Sequence, residues 1–562
     1  MKNILPVIIL AITILAPLSC QKPDEFEAVR SSSALVTFSA KFMYDESDDN
    51  YFKGEIDYEN HIINVVFPYN YPVLSDNVLT KDVLTKMRVQ ATTENNVIIE
   101  PPLLFMDLSK DNVITIVDKL EGTRTDYLVR AEIRKSAECS VTSFNFGDLG
   151  LSGVISEETN TISIVAVEEI GVQKADVTIS HGASISPDPR VTPLNWEVGQ
   201  TLTVTAQNGT DRTVYTVVKS VPEKVAAGIR PGSGVLKWTR KLSTIEGITN
   251  AKNVHGMAIT PEGIVINQQG STSMPVIKAT DGSTLDSKFT LPSGTNYFMT
   301  SDDSGNILFC NYRSAASGKF VLYKAGSLTE TPQVLINYTD PHAYSKLGWK
   351  FSVTGSVDGD ALISTCCLID NGTKPSVAVW TIRGGALESS TPTYISLTFD
   401  PSIWGKWSDA VFSGTSIDSD LFVCSYARYP DPKGDRYILW FDGATATEKT
   451  SLKLWNNSVL QTAAFASFNG SPYLAYSNCN TFNWGVSNSD WIKMHDVSTG
   501  NLDSPLEVIP PKKYGGQPAG LPNANGFSDV LMVPSENGFF LNVYFYFAGG
   551  YIGMVQYDCI KQ

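Results

Sequence analysis

The sequence predicts an all-β protein in which two small sandwich modules precede a β-propeller of six blades. Helical periodicity is nearly absent, and apolar strands alternate with turns rich in Gly, Pro, Asn and Asp. Two segments near the N-terminus resemble each other. Beyond about residue 225, roughly four strands recur every 40 to 65 residues, the pattern of propeller blades. With 562 residues, the chain has room for several domains.

A short apolar run follows Lys2, has Pro6 and Pro17 near its ends, and stops at Cys20. Because it is too short to span a bilayer comfortably, it predicts a cleaved signal peptide over residues 1–19. The stretch "PLSC", residues 17–20, resembles a bacterial lipoprotein cleavage box, which implies cleavage after Ser19 and a lipidated N-terminus at Cys20. An ordinary signal peptide that ends near a cysteine is the alternative.

Residues 20–33 would form a tether behind the lipid. The "QKPDEFE" after Cys20 is similar to the acid-rich export signal of lipoproteins displayed on the surface of Bacteroidetes cells. That resemblance implies a lipid-anchored protein of the outer membrane that faces the outside of the cell. No second apolar run of spanning length follows, so the lipid would be the only membrane attachment.

Each of the two similar N-terminal modules runs from an apolar strand through a Gly-led hairpin to a closing strand that carries a Tyr. "GEIDYENHIINVVFP", residues 54–68, aligns with "GVISEETNTISIVAV", residues 153–167. The alternating strands predict Ig-like β-sandwiches over residues 34–136 and 137–222. A Cys…Trp…Cys core is missing, which excludes antibody-like domains, and the expected role of the tandem is that of a spacer.

Residues 225–562 are predicted to form the propeller. Six tight turns join paired strands and are found at 260–263, 302–305, 357–360, 417–420, 468–471 and 535–538. The last unit has only three strands, while an unpaired strand, "GVLKWTRKL" (residues 234–242), precedes the first unit. Joining that strand to the last blade would close the ring and remove its open edge.

The charge balance limits the partners. The chain has 43 Lys and Arg against 58 Asp and Glu, a net charge of −15, which argues against nucleic acid or anionic lipid. A neutral ligand fits better. The acids of the six turns suit turn chemistry rather than a calcium loop, so no metal or other cofactor is predicted.

Most of the cysteines that follow Cys20 recur in equivalent strands of the large repeat. Cys310, Cys366 or Cys367, Cys424 and Cys479 fall one per repeat, a pattern typical of buried free thiols. Trp380 and Trp440 likewise occupy the same place in consecutive third strands. We therefore assign both tryptophans to the core between blades.

Ligand-binding residues are expected on one face of the propeller. In a blade with strands A to D, the short A–B turns lie on one face, and the long B–C and D–A loops lie on the other, where function concentrates. Those loops are rich in aromatic residues, which suit the apolar face of a sugar ring. The predicted ligand-binding residues are Trp404, Trp484, Tyr429, Trp349, Trp407, Tyr344, Tyr312 and Arg436. Core packing is the alternative for each aromatic residue.

No catalytic residue is assigned. Of the five histidines, His255 and His342 would lie near the ligand face, and a structural role fits both. The sequence has no G-x-S-x-G elbow, metalloprotease helix or phosphate loop. Asp340, Asp400 and Asp409 lie near the aromatic loops and are the candidates for a pair of glycoside-cleaving carboxylates.

The anchor, the spacer modules and the aromatic propeller face together resemble the surface glycan-binding lipoproteins of Bacteroidetes polysaccharide-utilisation systems. In architecture the chain also resembles lipoproteins that join Ig-like domains of unknown function to a C-terminal propeller. The resemblance implies non-catalytic capture of an oligosaccharide or polysaccharide and its transfer to an outer-membrane glycan transporter complex. Two alternatives stay open, a propeller glycoside hydrolase or polysaccharide lyase and a protein–protein scaffold.

Overall fold

The computed structural model describes residues 34–45, 47, 50–313, 318–343, 345–398, 408–425, 436–454, 460–478, 490–512 and 527–561. Over these residues the chain is all-β, and its helical segments are short 3-10 turns. Those turns are Lys81–Leu84, Gly147–Leu149, Leu242–Thr244, Ala251–Asn253, Asp370–Gly372 and Val497–Thr499. No helix in the described part of the chain is long and apolar enough to cross a membrane.

The chain divides into two compact units. One contains residues 1–165 and 169–220, and the other contains residues 166–168 and 221–562. The first unit holds two sandwich modules, and the second holds the propeller. This confirms the predicted fold class of two N-terminal Ig-like β-sandwich modules followed by a six-bladed β-propeller.

The first module contains one eight-stranded sheet in the order β5-β7-β8-β3-β2-β1-β4-β6. Its strands are β1 (Leu35–Phe42), β2 (Phe52–Asp57), β3 (Ile62–Pro68), β4 (Met87–Thr93), β5 (Val97–Glu100), β6 (Phe105–Met106), β7 (Asn112–Asp118) and β8 (Thr123–Arg134). Alternate residues of β3, such as Ile63, Val65 and Phe67, are fully buried. This alternation lets one face of the sheet form the core.

The second module has a seven-stranded sheet in the order β13-β9-β10-β11-β17-β16-β14 and a ribbon of β12 and β15. Its strands are β9 (Val141–Phe146), β10 (Leu151–Ser156), β11 (Thr161–Val165), β12 (Val172–Gln173), β13 (Asp176–Ile179), β14 (Ser184–Ser186), β15 (Leu194–Asn195), β16 (Gln200–Thr205) and β17 (Arg212–Ser220). Its core is centred on Trp196, whose ring lies 5.4 Å from the rings of both Phe144 and Phe146.

The two hairpins that align in sequence occupy equivalent places. In each module the second strand of the hairpin pairs in parallel with the closing strand, β3 with β8 and β11 with β17. The glycine that leads each hairpin is required for the same reason, because a side chain there would clash with the opposite strand. A Cβ on Gly54 would lie 2.8 Å from Ile63 Cγ2, and one on Gly153 would lie 2.7 Å from Ile162 Cγ2. Both distances are far below van der Waals contact.

The propeller has six blades among the described residues. Blade 1 has β19 (Val254–Thr260), β20 (Gly263–Gln268), β21 (Ser273–Ile277) and β22 (Thr284–Thr290), and blade 2 has β23 (Phe298–Ser301), β24 (Ile307–Cys310), β25 (Lys319–Ala325) and β26 (Gln333–Thr339). Blade 3 has β27 (Ser352–Gly355), β28 (Ala361–Ile369), β29 (Lys374–Arg383), β30 (Ala386–Leu387) and β31 (Thr393–Ser396).

Blades 4 to 6 continue the same order, with the innermost strand A first. Blade 4 has β32 (Asp409–Phe412), β33 (Leu421–Ser425), β34 (Arg436–Asp442) and β35 (Thr447–Leu454), and blade 5 has β36 (Leu460–Phe468), β37 (Ser471–Asn478), β38 (Asp490–Asp496) and β39 (Leu506–Lys512). Blade 6 has β40 (Ser528–Pro534), β41 (Phe540–Phe547) and β42 (Tyr551–Asp558), and its fourth strand is β18 (Val235–Lys241).

The closure of the ring by the early strand is confirmed. β18 pairs antiparallel with β42, from Val235 opposite Gln556 to Lys241 opposite Tyr551, with one register shift between Leu236 and Trp238. Just before β18, the Arg230 guanidinium forms an ion pair of 2.7 Å with Asp558 at the end of β42. The first and last segments of the propeller are therefore held in one sheet.

The predicted core residues are buried where the structure describes them. Trp380 is 1% exposed and Trp440 is 6% exposed, which confirms their place in the core. Cys310, Cys366, Cys367 and Cys424 are buried free thiols, as expected. Burial raises the pKa of the Cys310 thiol well above its ordinary value, so it stays protonated. Cys20 and Cys479 lie outside the described residues.

Asp302 is an acid of an A–B turn that bonds to the turns themselves. Its Oδ1 accepts a hydrogen bond from Asn306 N at 2.8 Å, and its Oδ2 accepts one from Val357 N at 2.8 Å. It thereby joins the turn of blade 2 to the turn of blade 3. In the described part of the chain, no group of three or more His, Cys, Asp or Glu side chains is placed to hold a metal ion.

Candidate functional site

Aromatic residues meet where the innermost strands of four blades begin. His255 is the second residue of β19, Tyr297 directly precedes β23, and Phe527 directly precedes β40. Trp349 lies three residues before β27, and Tyr312 follows β24 in a B–C loop. These five residues form the aromatic cluster, on the face that carries the B–C and D–A loops.

The rings of the aromatic cluster are in mutual contact. Tyr297 has its ring centroid 4.8 Å from Tyr312 and 5.4 Å from Trp349, and Tyr312 lies 5.5 Å from Trp349. Phe527 stacks on Trp349 at 5.0 Å and on His255 at 3.7 Å. Phe527 and His255 are buried, whereas the other three rings are half-buried. The cluster therefore has a packed base and a partly open apolar surface.

His255 is an uncharged member of the aromatic cluster. The side chain is only 2% exposed, and this burial, together with the nearby Lys350 charge, lowers the pKa of His255 to about 3. The imidazole is therefore neutral at physiological pH. Neither ring nitrogen has a hydrogen-bond partner among the described residues. A neutral imidazole can donate one hydrogen bond and accept another.

Two of the eight predicted ligand residues can be placed with their side chains, and both belong to the aromatic cluster. They are Tyr312 and Trp349, which come from different blades. Arg436 begins β34, but its side chain is outside the described part. The other predicted residues that lie outside the described residues are Trp404, Trp407, Tyr429, Trp484 and Tyr344. Ligand binding by all eight stays a prediction.

Of the three candidate carboxylates, Asp340 forms an ion pair with a buried arginine, Arg313. The Asp340 carboxylate lies 3.2 Å from Arg313 Nη1, both side chains are almost fully buried, and Ser345 Oγ donates a hydrogen bond to the same carboxylate. Arg313 Nη2 also donates to the Asp340 carbonyl oxygen at 3.1 Å. These bonds fix one loop to the next, a structural role. Asp400 lies outside the described residues.

The third carboxylate, Asp409, lies in a cavity on the propeller axis. This axial cavity has a volume of about 650 Å³, and the innermost strands of all six blades form its wall. Its inner end contains Phe298, Phe351, Asp409, Thr462 and Asp529. Its mouth lies among the A–B turns, on the face opposite the aromatic cluster.

A buried lysine organises the inner end of the axial cavity. The Lys350 ammonium is fully buried, donates to the Ser528 carbonyl oxygen at 2.6 Å and lies 3.6 Å from Asp529 Oδ1. It also lies 5.2 Å from the ring centroid of Phe298. Because these residues come from blades 3, 6 and 2, the single ammonium connects three blades.

The two buried aspartates extend this network. Asp409 accepts hydrogen bonds from Ser352 Oγ at 3.0 Å and from Ala463 N at 3.1 Å, and Asp529 accepts one from Thr462 Oγ1 at 2.8 Å. Burial raises the pKa of Asp409 to about 6, against the lowering effect of Lys350. Burial also raises the pKa of Asp529. One ammonium thus faces two carboxyl groups. We call Lys350, Asp409 and Asp529 together the buried charge cluster.

Sequence reasoning missed Tyr297, Phe527, Lys350 and Asp529. They share one signal, because each lies at or just before the start of an innermost strand. Aligning the first residues of the six A strands would have brought them together. Nothing in the sequence alone tells which of these positions face the axis.

Residues 238–558, more than half of the chain, match the family described as domain of unknown function DUF8500. The chain belongs to the DUF8500 family. The match runs from β18 to the end of β42 and therefore covers all six blades, the aromatic cluster and the axial cavity. Residues 15–131 match DUF5018 and residues 141–219 match DUF8499, both also described as domains of unknown function. No curated protein matches the chain.

Several solved structures are distantly similar. A DUF4623 family protein from Bacteroides eggerthii has a TM-score of 0.45 and 15% identity, over 76% of this chain and 99% of its own. The Hadza microbial sialidase Hz136 has a TM-score of 0.34 and 12% identity, over 75% of this chain and 90% of its own. An exo-β-1,3-galactanase from Phanerochaete chrysosporium, solved with β-1,3-galactotriose, has a TM-score of 0.28 and 12% identity, over 45% of this chain and 57% of its own.

These similarities are too distant to assign an activity or a ligand to the DUF8500 propeller. Its chemistry therefore has to be argued from its own residues. They offer two distinct environments, the partly open aromatic cluster on one face and the acid-lined axial cavity that opens on the other.

Proposed function

We propose that the protein captures a neutral oligosaccharide or polysaccharide on the propeller face that carries the aromatic cluster, and does not cleave it. The observation that carries this proposal is the group of three half-buried rings, Tyr297, Tyr312 and Trp349, whose centroids lie 4.8 to 5.5 Å apart. A sugar ring has an apolar C–H face that packs on flat aromatic rings, while its hydroxyl groups seek polar partners at the rim.

A neutral glycan fits this face better than an anionic one. His255 is uncharged at physiological pH because its pKa is lowered to about 3. The Arg313 guanidinium is buried against Asp340. The net charge of −15 also repels polyanions at long range.

Binding without cleavage is supported by the state of Asp340. A glycosidase needs one carboxyl group to donate a proton and a second to act as nucleophile or base. Asp340 is bound to Arg313 and Ser345, so it is not free for either task.

An enzyme of the same substrate class is the second candidate, and the buried charge cluster favours it. Asp409 has a pKa of about 6 and is electrostatically coupled to Asp529. Burial raises the pKa of Asp529 as well, and a carboxyl group with a raised pKa is what the acid step of glycosidic-bond cleavage requires.

The proposed location is the outer membrane, with the propeller outside the cell. A lipid on Cys20 would anchor the chain, residues 20–33 would act as a tether, and the two sandwich modules would act as a spacer. The "PLSC" cleavage box and the acidic stretch after it support this part of the proposal. Labelling cells with radioactive palmitate checks it, since Cys20→Ala is expected to abolish the label. The captured glycan would pass to an outer-membrane transporter complex.

The function is tested with a glycan array on the chain from Gln21 onward, followed by mass spectrometry of every bound glycan. Binding without a shorter product is expected. Release of shorter products would support the enzyme instead, and no binding to any neutral glycan would contradict glycan capture and favour a protein scaffold.

The aromatic cluster is tested by calorimetry with a glycan from the array. Trp349→Ala and Tyr312→Ala are each expected to weaken binding about tenfold or more, which corresponds to about 1.4 kcal/mol. The control is Tyr44→Ala, which removes an aromatic ring that is 73% exposed in the first sandwich module. Unchanged affinity in both folded variants would place the glycan elsewhere.

A further inference from the structure

The axial cavity is a space that glycan capture at the aromatic cluster does not use. Its volume of about 650 Å³ lies within the range of roughly 300–1,000 Å³ that small-molecule sites occupy. Its lining comes entirely from described residues. The cavity and the aromatic cluster use different residues, so each can be tested without the other.

The wall of the axial cavity is acidic. Five carboxyl groups line it, at Asp302, Asp303, Asp409, Asp529 and Glu536, and no Lys, Arg or His is among the residues that line it. Lys350 lies behind the inner end and offsets one of these charges. A concave surface lined by one sign of charge concentrates ions of the opposite sign.

The inner end holds a carboxylate with one oxygen that is left unsatisfied within the described part of the chain. Asp529 is 3% exposed, and its Oδ1 accepts from Thr462 and faces Lys350. Its Oδ2 is buried and has no hydrogen-bond partner among the described residues. Buried polar atoms are nearly always satisfied, so an unpaired carboxylate oxygen beside a cavity indicates a missing donor.

We infer that the axial cavity binds a small organic cation, a primary amine on a hydroxyl-bearing carbon frame such as an amino sugar or amino alcohol, which enters between the A–B turns. The ammonium would supply the donor that Asp529 lacks and neutralise the excess negative charge of the buried charge cluster. Hydroxyls of Thr300 and Thr354 and the rings of Phe298 and Phe351 suit the polar and apolar parts of such a frame.

A metal ion fits this space less well than an amine. Asp409 already accepts bonds from Ser352 and Ala463, and Asp302 is held by its own turn. No group of three metal-ligating side chains is present among the described residues. An anion would meet the five carboxyl groups and be repelled.

Calorimetry with glucosamine, glucose and N-acetylglucosamine tests the inference, because the three sugars differ at one substituent, which is an ammonium, a hydroxyl of similar size and an uncharged amide, respectively. Glucosamine is expected to bind, and the two uncharged sugars are expected to bind at least tenfold more weakly. Equal affinity for all three, or no glucosamine binding at all, would overturn the proposal. Glucosamine binding should persist in Trp349→Ala, which separates this result from failure of glycan capture.

Variants that remove single charges from the axial cavity test whether the amine binds there. Asp529→Asn keeps the shape of the side chain, removes its charge and is expected to weaken glucosamine binding at least tenfold. The control is Asp418→Asn, an exposed acid of an A–B turn on the same face that does not line the cavity. If the Asp529 variant does not fold, Asp303→Asn at the mouth replaces it as the test. A severalfold loss of glucosamine affinity is expected for this variant. Unchanged affinity in a folded Asp529 or Asp303 variant would contradict the site.

Discussion

At the scale of single residues, Lys350 is the side chain that contributes most to holding the blades around the axis. A buried ammonium is tolerated only where acceptors and counter-charges surround it. Lys350 has the Ser528 carbonyl oxygen at 2.6 Å, Asp529 at 3.6 Å and the ring of Phe298 at 5.2 Å. Since those partners come from two other blades, the residue stabilises the arrangement of blades around the axis.

Replacing Lys350 tests this role. Lys350→Met removes the charge but keeps much of the volume, and it leaves Asp529 buried without its counter-ion. We expect a loss of about 3–5 kcal/mol in the free energy of unfolding, the usual cost of breaking a buried ion pair on one side. Urea unfolding followed by tryptophan fluorescence measures it. Adding Asp529→Asn should recover part of the loss, and a loss below about 1 kcal/mol would show that the pair contributes little.

Asp409 gives the propeller a defined pH dependence. Its folded-state pKa of about 6 lies above the ordinary value of 3.8, so the folded state binds its proton more tightly than the unfolded chain does. Ionising Asp409 therefore costs stability as pH rises from about 4 to 6. The cost approaches about 3 kcal/mol, the free energy that corresponds to a rise in the pKa of Asp409 from 3.8 to about 6.

The matched variant is Asp409→Asn, which cannot ionise. Relative to the wild type, it should gain stability as pH rises from about 4 to 6, whatever its constant offset from altered hydrogen bonds. Thermal unfolding of both proteins across this pH range gives the difference. A difference that stays flat, or that falls with rising pH, would contradict the raised pKa.

At the scale of strands and hairpins, the leading glycines of the two sandwich hairpins are explained by packing. Gly153→Ala would place a Cβ 2.7 Å from Ile162 Cγ2. We expect it to destabilise the module by about 1–3 kcal/mol, the usual cost of overpacking a core. The control is Gly199→Ala, where the nearest atom to a Cβ is 3.9 Å away. Chemical unfolding of both variants measures the difference, and equal stabilities would contradict the packing explanation.

Hairpins were predictable because their signals are local, and ring closure was predictable because the last repeat lacked a strand. Turn residues between alternating strands mark each hairpin, and the unpaired strand now seen as β18 completed a blade that lacked one. The same reasoning placed Tyr312 and Trp349 on one face, since blade geometry fixes where B–C and D–A loops emerge.

The buried charge cluster was not predictable, because its contacts are long-range. Ser528 lies 178 residues from Lys350 in sequence, and a lysine in a loop gives no sign that its ammonium will be buried. Asp409 was a candidate for its loop position alone. Its raised pKa depends on burial and on Lys350 and Asp529, which only the folded ring brings together.

At the scale of the whole molecule, the propeller is held closed by its two ends. Without β18, β42 would present a row of unpaired backbone groups, and such an edge favours aggregation. The contacts of this junction include the antiparallel pairing of β18 with β42 and the ion pair of Arg230 with Asp558. Closure also fixes the positions of blades 1 and 6, which supply His255 and Phe527 to the aromatic cluster.

Two truncations test the role of closure. A chain that begins at Val221 keeps β18 and the segment that carries Arg230, and we expect it to fold cooperatively. A chain that begins at Leu242 lacks β18, and we expect it to aggregate or to unfold at a markedly lower temperature, because blade 6 is left with three strands. Light scattering and thermal unfolding compare the two. If the shorter chain stays monomeric with an unchanged unfolding temperature, the ring does not depend on β18. The stability of the innermost strands must then come from the axial contacts around Lys350.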